Sequence, residues 1–312
     1  MTTVVTVPGP ADVRSAAGRI AGYVRRTPLL QAVPGVLLKA EHLQRGGSFK
    51  LRGAANAVLA LGARRIVTGS SGNHGIALAS LAAPLGVRVT VVMAAGASPA
   101  KAALIRALGG RIVTVGGGVA EREARARELA EETGAVLVPS SDHPLVVAGQ
   151  GTVGAEILAD LPGAGSVYVP TGGGGLLAGV CLAARDHPVR VVGVEPAGSP
   201  RYARSLAAGR PVRLPPGETV ADGLRAQQPG AVPFPVIRDR ADELITVSDA
   251  EILAAVALLR GHGIEAEPSG AVALAGALRG PRRDPAVAVV SGGNTTAALS
   301  AASAHTHHEE IR

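Results

Sequence analysis

The feature that most constrains this chain is a regular alternation of short apolar runs with longer Ala/Leu-rich patterns. RIVTG (65–69) precedes the helix-like NHGIALASLAAPLG, and RVTVVM (88–93) precedes PAKAALIRALGG. RIVTV (111–115) precedes the charged VAEREARARELAEETG, and AVLVP follows. SVYVP (166–170) precedes GGLLAGVCLAARDH, then RVVGVEP. A late ELITVSDAEILAAVALLRGHG leads to a last strand, AVAVVSGG (286–293). Strand, helix, strand at this spacing predicts parallel sheets with helices on both faces. The strands are continuously apolar, as they must be when both faces are covered. A length of 312 residues allows one large or two medium domains. The segment 200–240 has no clear period and reads as a long surface excursion. The last ten residues read as a frayed terminus.

Composition narrows the function classes. At 47% hydrophobic the chain can bury a sizeable core. It carries three tyrosines, two phenylalanines and no tryptophan, so stacking on nucleic-acid bases is poorly supplied. The net charge of +7 comes from scattered arginines with no long basic run. It predicts a solvated surface with anion sites rather than a nucleic-acid partner. Cys181 is the only cysteine, which excludes an intrachain disulfide and a Cys-based zinc site. No run of 18 apolar residues occurs, so no membrane span is expected. MTTVVTVPGP lacks the basic and apolar parts of a signal peptide, so the cytoplasm is the expected location.

Three stretches carry chemistry. PTGGGGLLAG (170–179) joins a strand to a helix, and its glycines let N–H groups converge on a phosphate. A plain turn is the simpler reading. The same stretch also fits a dinucleotide fingerprint, Gly173-x-Gly175-x-x-Ala178 with Glu195 at the end of the next strand, which would make the protein a nicotinamide oxidoreductase using 170–195. GSSGNHG (69–75) offers N–H groups to a carboxylate, or a helix cap. GGSFKLRGA (46–54) puts Lys50 at a helix mouth, where the dipole disfavours an ammonium and suits an amine that is neutral or condensed as an imine. A solvated surface lysine is the plain alternative. Only three lysines occur, and the other two, Lys39 and Lys101, have no glycine frame.

A reactive lysine, a phosphate cradle and a carboxylate loop are together what an aldehyde cofactor bearing a phosphate needs to act on an amino acid. The chain resembles the fold-type II pyridoxal-phosphate enzymes, in the threonine/serine dehydratase and serine racemase branch. The matching stretches run in order over about residues 27–296: KAEHLQRGGSFKLRGAANAV, SSGNHGIALA, PAKAALIRALGG, VVAGQGTVGAEIL, PTGGGGLLAG, VVGVEP, TVADGL, ELITVSDAEI, EPSGAVALAGAL and SGGNTT.

The resemblance implies a tryptophan synthase beta-like fold, two open parallel-sheet α/β domains with the cofactor in the cleft between them. The large domain would take 1–64 and 142–312, the small one 65–141. Lys50 resembles the Schiff-base lysine, with Phe49 beside the cofactor. Gly172, Gly173, Gly174 and Gly175 match the phosphate loop, Asn73 the contact to the ring hydroxyl, and Ser291 the partner of the ring nitrogen. Ser70, Ser71, Gly72, Asn73 and His74 match the substrate-carboxylate loop. Ser71 matches the serine that faces the lysine in racemases. Related enzymes often hold a divalent metal through a Glu, a backbone carbonyl and an Asp. Here Glu195 and Ser199 match the first two, but Arg201 stands at the Asp position, which leaves the metal open. The loop SSDHP (140–144) falls where relatives vary in a substrate contact, and leaves the substrate open. The implied activity is β-elimination from a β-hydroxy amino acid such as L-threonine or L-serine to a 2-oxo acid and ammonia. Racemisation of serine or another amino acid, and hydroxyaspartate dehydration, are alternatives on the same site. The resemblance also implies a homodimer.

Overall fold

Among the described residues ten strands form: β1 Leu29–Val33, β2 Val36–Lys39, β3 Arg65–Gly69, β4 Arg88–Ala94, β5 Arg111–Val115, β6 Val136–Leu137, β7 Ser166–Pro170, β8 Arg190–Pro196, β9 Glu243–Val247 and β10 Ala286–Val289. The computed structural model describes residues 6–70, 72–280, 282–295 and 298–299. The expected frayed terminus, residues 303–312, and the site candidate Ser71 lie outside the described residues.

The strands form two sheets. One has the order β1-β2-β10-β7-β8-β9, the other β5-β4-β3-β6. All pairings are parallel except β1 with β2. In the larger sheet neighbouring residues serve opposite faces, as the period of two requires. Val167 and Val169 of β7 face a core with Val147, Leu177 and Ile237. Tyr168, between them, faces a second core with Ile252, Val272 and Leu274. In the smaller sheet Ile66, Val89 and Val91 pack with Ile76 and Ile105. Val67 and Val92 meet Ala126 on the other side. Both faces of each sheet are therefore covered, which accounts for the unbroken apolar strands.

The segment 200–240 differs from the expected surface excursion. It contains the helices Arg201–Ala207 and Pro233–Arg240, and it buries Arg201, Tyr202, Phe234 and Ile237. Its short helices gave too little periodicity to read, and a large, fully buried side chain in it, Arg201, is one that a hydropathy pattern scores as surface.

Candidate active site

The chemistry-bearing stretches all leave the carboxyl ends of parallel strands. β3 ends at Gly69 before Ser70, β7 at Pro170 before the glycines, and β10 at Val289 before Ser291. β2 ends at Lys39, ahead of the turns that reach Lys50. In open parallel α/β sheets this is the edge where ligands bind, because the helices that follow turn their free N–H groups to it.

Two stretches about 240 residues apart build the lysine's surroundings. Ser48 pairs with Gly292 in an antiparallel bridge. Phe49 N–H donates to Ser291 O (3.1 Å), and Gly293 N–H to Gly47 O (2.9 Å). Gly46 and Gly47 both have positive φ, and a Cβ on Gly47 would run into Asn294 Oδ1. The glycines before Lys50 are thus what lets SGGN lie against the lysine loop.

Lys50 opens the helix Lys50–Leu61. Its Nζ donates to Ser140 O (2.8 Å) and lies 4.9 Å from the Phe49 ring centre. Burial pushes its pKa down to about 8. The other two lysines are buried in ion pairs. Lys39 Nζ meets Glu156 at 2.6 Å. Lys101 Nζ meets Asp222 at 3.1 Å and Glu267 at 3.8 Å. Burial pulls Lys101 down, but Glu267 and Asp222 outweigh it and hold the ammonium above its ordinary value. Among the described residues no carboxylate pairs with Lys50, so the desolvation of its ammonium goes uncompensated.

The glycine loop lies at the start of the helix Gly175–Ala183. Its carbonyls are engaged by side chains from the segment after β8: Arg201 donates to Thr171 O (2.9 Å) and Gly172 O (3.0 Å), and Tyr202 Oη to Gly173 O (2.9 Å). The N–H groups of the first helical turn have no intrahelical acceptor. A Cβ on Gly173 would meet Ser141 Oγ, and one on Gly174, at φ 95°, would meet Tyr202 Oη. Ser140 and Ser141 therefore connect the two ends of the site, the first bonded to Lys50 and the second against the glycines.

On the smaller sheet, Ser70 Oγ accepts from Gly72 N–H and Gly75 N–H (both 3.3 Å) and so shapes the loop into the helix Asn73–Ala79. The Asn73 side chain donates to Glu267 Oε1 and accepts from Asn294 Nδ2 (2.9 Å). His74 is buried, and its Nε2 lies 3.0 Å from Val138 O. Burial and then the charge of Lys50 push His74 down to about 3, so the ring is neutral. Ser291 Oγ donates to Ser269 O (3.3 Å). Glu195 is fully buried, and its oxygens accept from Tyr202 N–H (2.9 Å) and Ala203 N–H (3.0 Å). That occupies the carboxylate a dinucleotide ribose would need.

Four residues of the site escaped the sequence reading: Lys101, Asp222, Glu267 and Asn294. Lys101 looked like an ordinary helix-start lysine, yet a Cβ on Gly72 would lie 3.9 Å from its Nζ. Glu267 had a signal, an acid just ahead of the Pro-Ser-Gly that opens the helix Pro268–Leu278.

Comparison with known proteins agrees with this geometry. A family model described as "Pyridoxal-phosphate dependent enzyme" matches residues 20–286. The chain is 41% identical to an L-threonine ammonia-lyase of Geobacter sulfurreducens over 90% of this chain and 74% of that one. It is 38% identical to a serine racemase of Oryza sativa subsp. indica over 86% of this chain and 83% of that one. It is similar in structure to a threonine deaminase of T.th., with a TM-score of 0.87 and 44% identity over 92% of this chain and 99% of that one.

Proposed function

Because the chain belongs to the pyridoxal-phosphate dependent enzyme family, we propose that it is an ammonia-lyase that eliminates the β-hydroxyl of L-threonine or L-serine, releasing a 2-oxo acid and ammonia. The observation that carries this reading is Lys50, a half-buried lysine with a lowered pKa, joined through Ser140 and Ser141 to a glycine cradle. The residues present fit the cofactor: a Cβ on Gly173 or Gly174 would strike Ser141 or Tyr202, so only glycines let the loop take this course, and Lys50 is the lysine without an ionic partner among the described residues.

When bound, pyridoxal 5′-phosphate supplies an aldehyde that takes an amine and a ring that draws electron density from the substrate Cα. The chain supplies the rest. Lys50 is the residue that would hold the aldehyde, and its free amine would accept the Cα proton. A pKa of about 8 leaves part of it neutral near pH 7, as both tasks need. The ammonium so formed is a proton donor for the departing hydroxyl. Gly172 to Gly175 would hold the phosphate through N–H groups. Phe49 packs beside the lysine, and Asn73 would offer its amide to the ring hydroxyl. Ser291 would serve the ring nitrogen as a neutral hydroxyl, which would favour prompt loss of the β-hydroxyl. Ser70 shapes the carboxylate loop, and Gly72, Asn73 and His74 present their backbone to the substrate. A cation beside that loop, Lys101, is committed to Asp222 and Glu267, which favours a neutral side chain over the second carboxylate of 3-hydroxyaspartate.

The unit 65–141 reads as a domain that closes over the substrate, supported by the Asn73–Glu267 and Lys101–Asp222 contacts to the larger sheet. No helix among the described residues is long and apolar enough to cross a membrane. The reading includes a homodimer in the cytoplasm, for which sedimentation at twice the chain mass of 31.1 kDa is the check.

Borohydride should fix the cofactor to Lys50, as peptide mapping reads, and 2-oxo acid release should be highest on L-threonine or L-serine among β-hydroxy amino acids. No covalent adduct and no 2-oxo acid would sink the proposal. The likeness to a serine racemase supports a racemase side activity using Ser71. Ser71→Ala should then weaken racemisation and D-substrate turnover more than dehydration of L-substrates. Equal loss on all substrates would count against it.

A further inference from the structure

Arg201 is the largest charged group that this part of the fold shuts away. It is fully buried, as is Glu195. Its Nη1 donates to Thr171 O (2.9 Å) and Gly172 O (3.0 Å), and its Nη2 to Ser199 O (2.5 Å) and Leu224 O (2.6 Å). Glu195 Oε1 lies 3.8 Å from Nη1. Four carbonyls and one carboxylate, drawn from the ends of β7 and β8 and from the turn at Asp222–Leu224, therefore converge on one cation. An oxygen set of this kind is what a hard divalent cation takes. Here the space between the oxygens is filled by a planar guanidinium that cannot leave and cannot lose its charge. Glu195 has both oxygens engaged by N–H groups of Tyr202 and Ala203. At position 201, where the family resemblance implies an Asp, the chain has the arginine itself. These residues do not fit a metal ion.

We infer that Arg201 is a positioning residue: its guanidinium is the resident cation of the glycine loop and takes the place of a divalent metal. It engages the carbonyls of Thr171 and Gly172, while Tyr202 Oη does the same for Gly173. With those carbonyls engaged, the loop's N–H groups are left to face the cofactor phosphate. The grip on the phosphate then depends on a side chain rather than on a dissociable ion. The phosphate part of this inference rests on the reading under Proposed function. The metal part does not.

The test has two arms. In the first, cofactor-free wild type is melted in EDTA and in millimolar Mg²⁺, Ca²⁺ or Mn²⁺, and the midpoint should move by less than about 1 °C. A rise of several degrees with a divalent ion overturns the inference, whatever the cofactor does. In the same arm Arg201→Asp should gain a midpoint that rises with Ca²⁺ or Mg²⁺, and indifference to both ions counts against the inference. In the second arm, pyridoxal 5′-phosphate and pyridoxal are titrated against wild type, Arg201→Ala and Arg201→Lys. Arg201→Ala should bind the phosphorylated form about 10–100-fold more weakly, the usual range for a residue behind a ligand, with little change for pyridoxal. Arg201→Lys should recover part of the loss. Equal weakening of both ligands would mean that Arg201 only supports the fold, and overturns its positioning role. Should wild type itself show no preference for the phosphorylated form, the functional reading has failed, and the melting arm still decides the cation.

Discussion

At the scale of single residues the site depends on an imbalance. Two lysines are buried with carboxylates, and the half-buried Lys50 has none among the described residues. Lys50 carries about 10.5 as its ordinary value and about 8 in the fold. The unfolded chain therefore binds more protons between these values, and stability rises with pH across that window. Below pH 8 the full penalty of the buried ammonium is present. Lys50→Met, which keeps the stem and removes the charge, should make the cofactor-free protein more stable by roughly 2 kcal/mol at pH 7. Thermal melting should show that gain shrinking as pH rises from about 8 towards 10.5, and a gain that does not change with pH would refute the assignment. Cofactor capture by wild type should rise with pH through about 8, with no step near 6.5, because His74 is held neutral by burial and by Lys50.

At the scale of elements, glycines set how closely helices and loops approach. The helix Lys50–Leu61 meets Pro144–Asp160 at Gly53 and Gly149, where a Cβ on Gly149 would lie 2.6 Å from Arg52 O. Pro144–Asp160 meets Gly175–Ala183 at Gly151 and Gly179, where a Cβ on Gly151 would lie 2.8 Å from Gly179 O. These backbone contacts hold the lysine's helix and the glycine loop's helix at a set distance across one shared partner. The glycine loop is equally tight against Ser141. Gly173→Ala should weaken cofactor binding by about tenfold or more, since inserting a methyl into a packed site costs typically 1–3 kcal/mol. Ser141→Gly in the same chain should restore part of the affinity, as fluorescence titration reads. No rescue would mean that the loop's own backbone, rather than the clash, sets the affinity.

At the scale of the whole molecule, the two sheets meet through polar side chains around the site. Lys101 reaches from the smaller sheet's side to Asp222 and Glu267, and Asn73 reaches Glu267 and Asn294. If this network governs closure over the substrate, Lys101→Met should raise KM for L-threonine about tenfold and leave the cofactor Kd within about twofold, since lids act on substrate commitment. Steady-state kinetics beside cofactor titration separates the two, and a parallel rise in both would refute the closure role.

Much of this was legible in the chain. Eight of the ten strands, β3 to β10, follow from apolar runs in the alternation, because a strand covered on both faces must be apolar throughout. The strand-to-helix junctions at Ser70 and Gly172 follow as well, since N–H groups at a helix start and glycines in a tight turn are local properties. Local rules do not reach further. That Gly47 yields to Asn294, that Lys101 turns towards Glu267, and that Arg201 is buried among the carbonyls of the glycine loop each depend on residues roughly 30 to 250 positions apart. A buried charge looks like a surface charge in sequence, and only its surroundings make it the amine, the strut or the cation. The sequence by itself determined the parallel sheets and the edge where the site lies. The tertiary structure decided which charges are paired there, and so why Lys50 is the lysine left free to react.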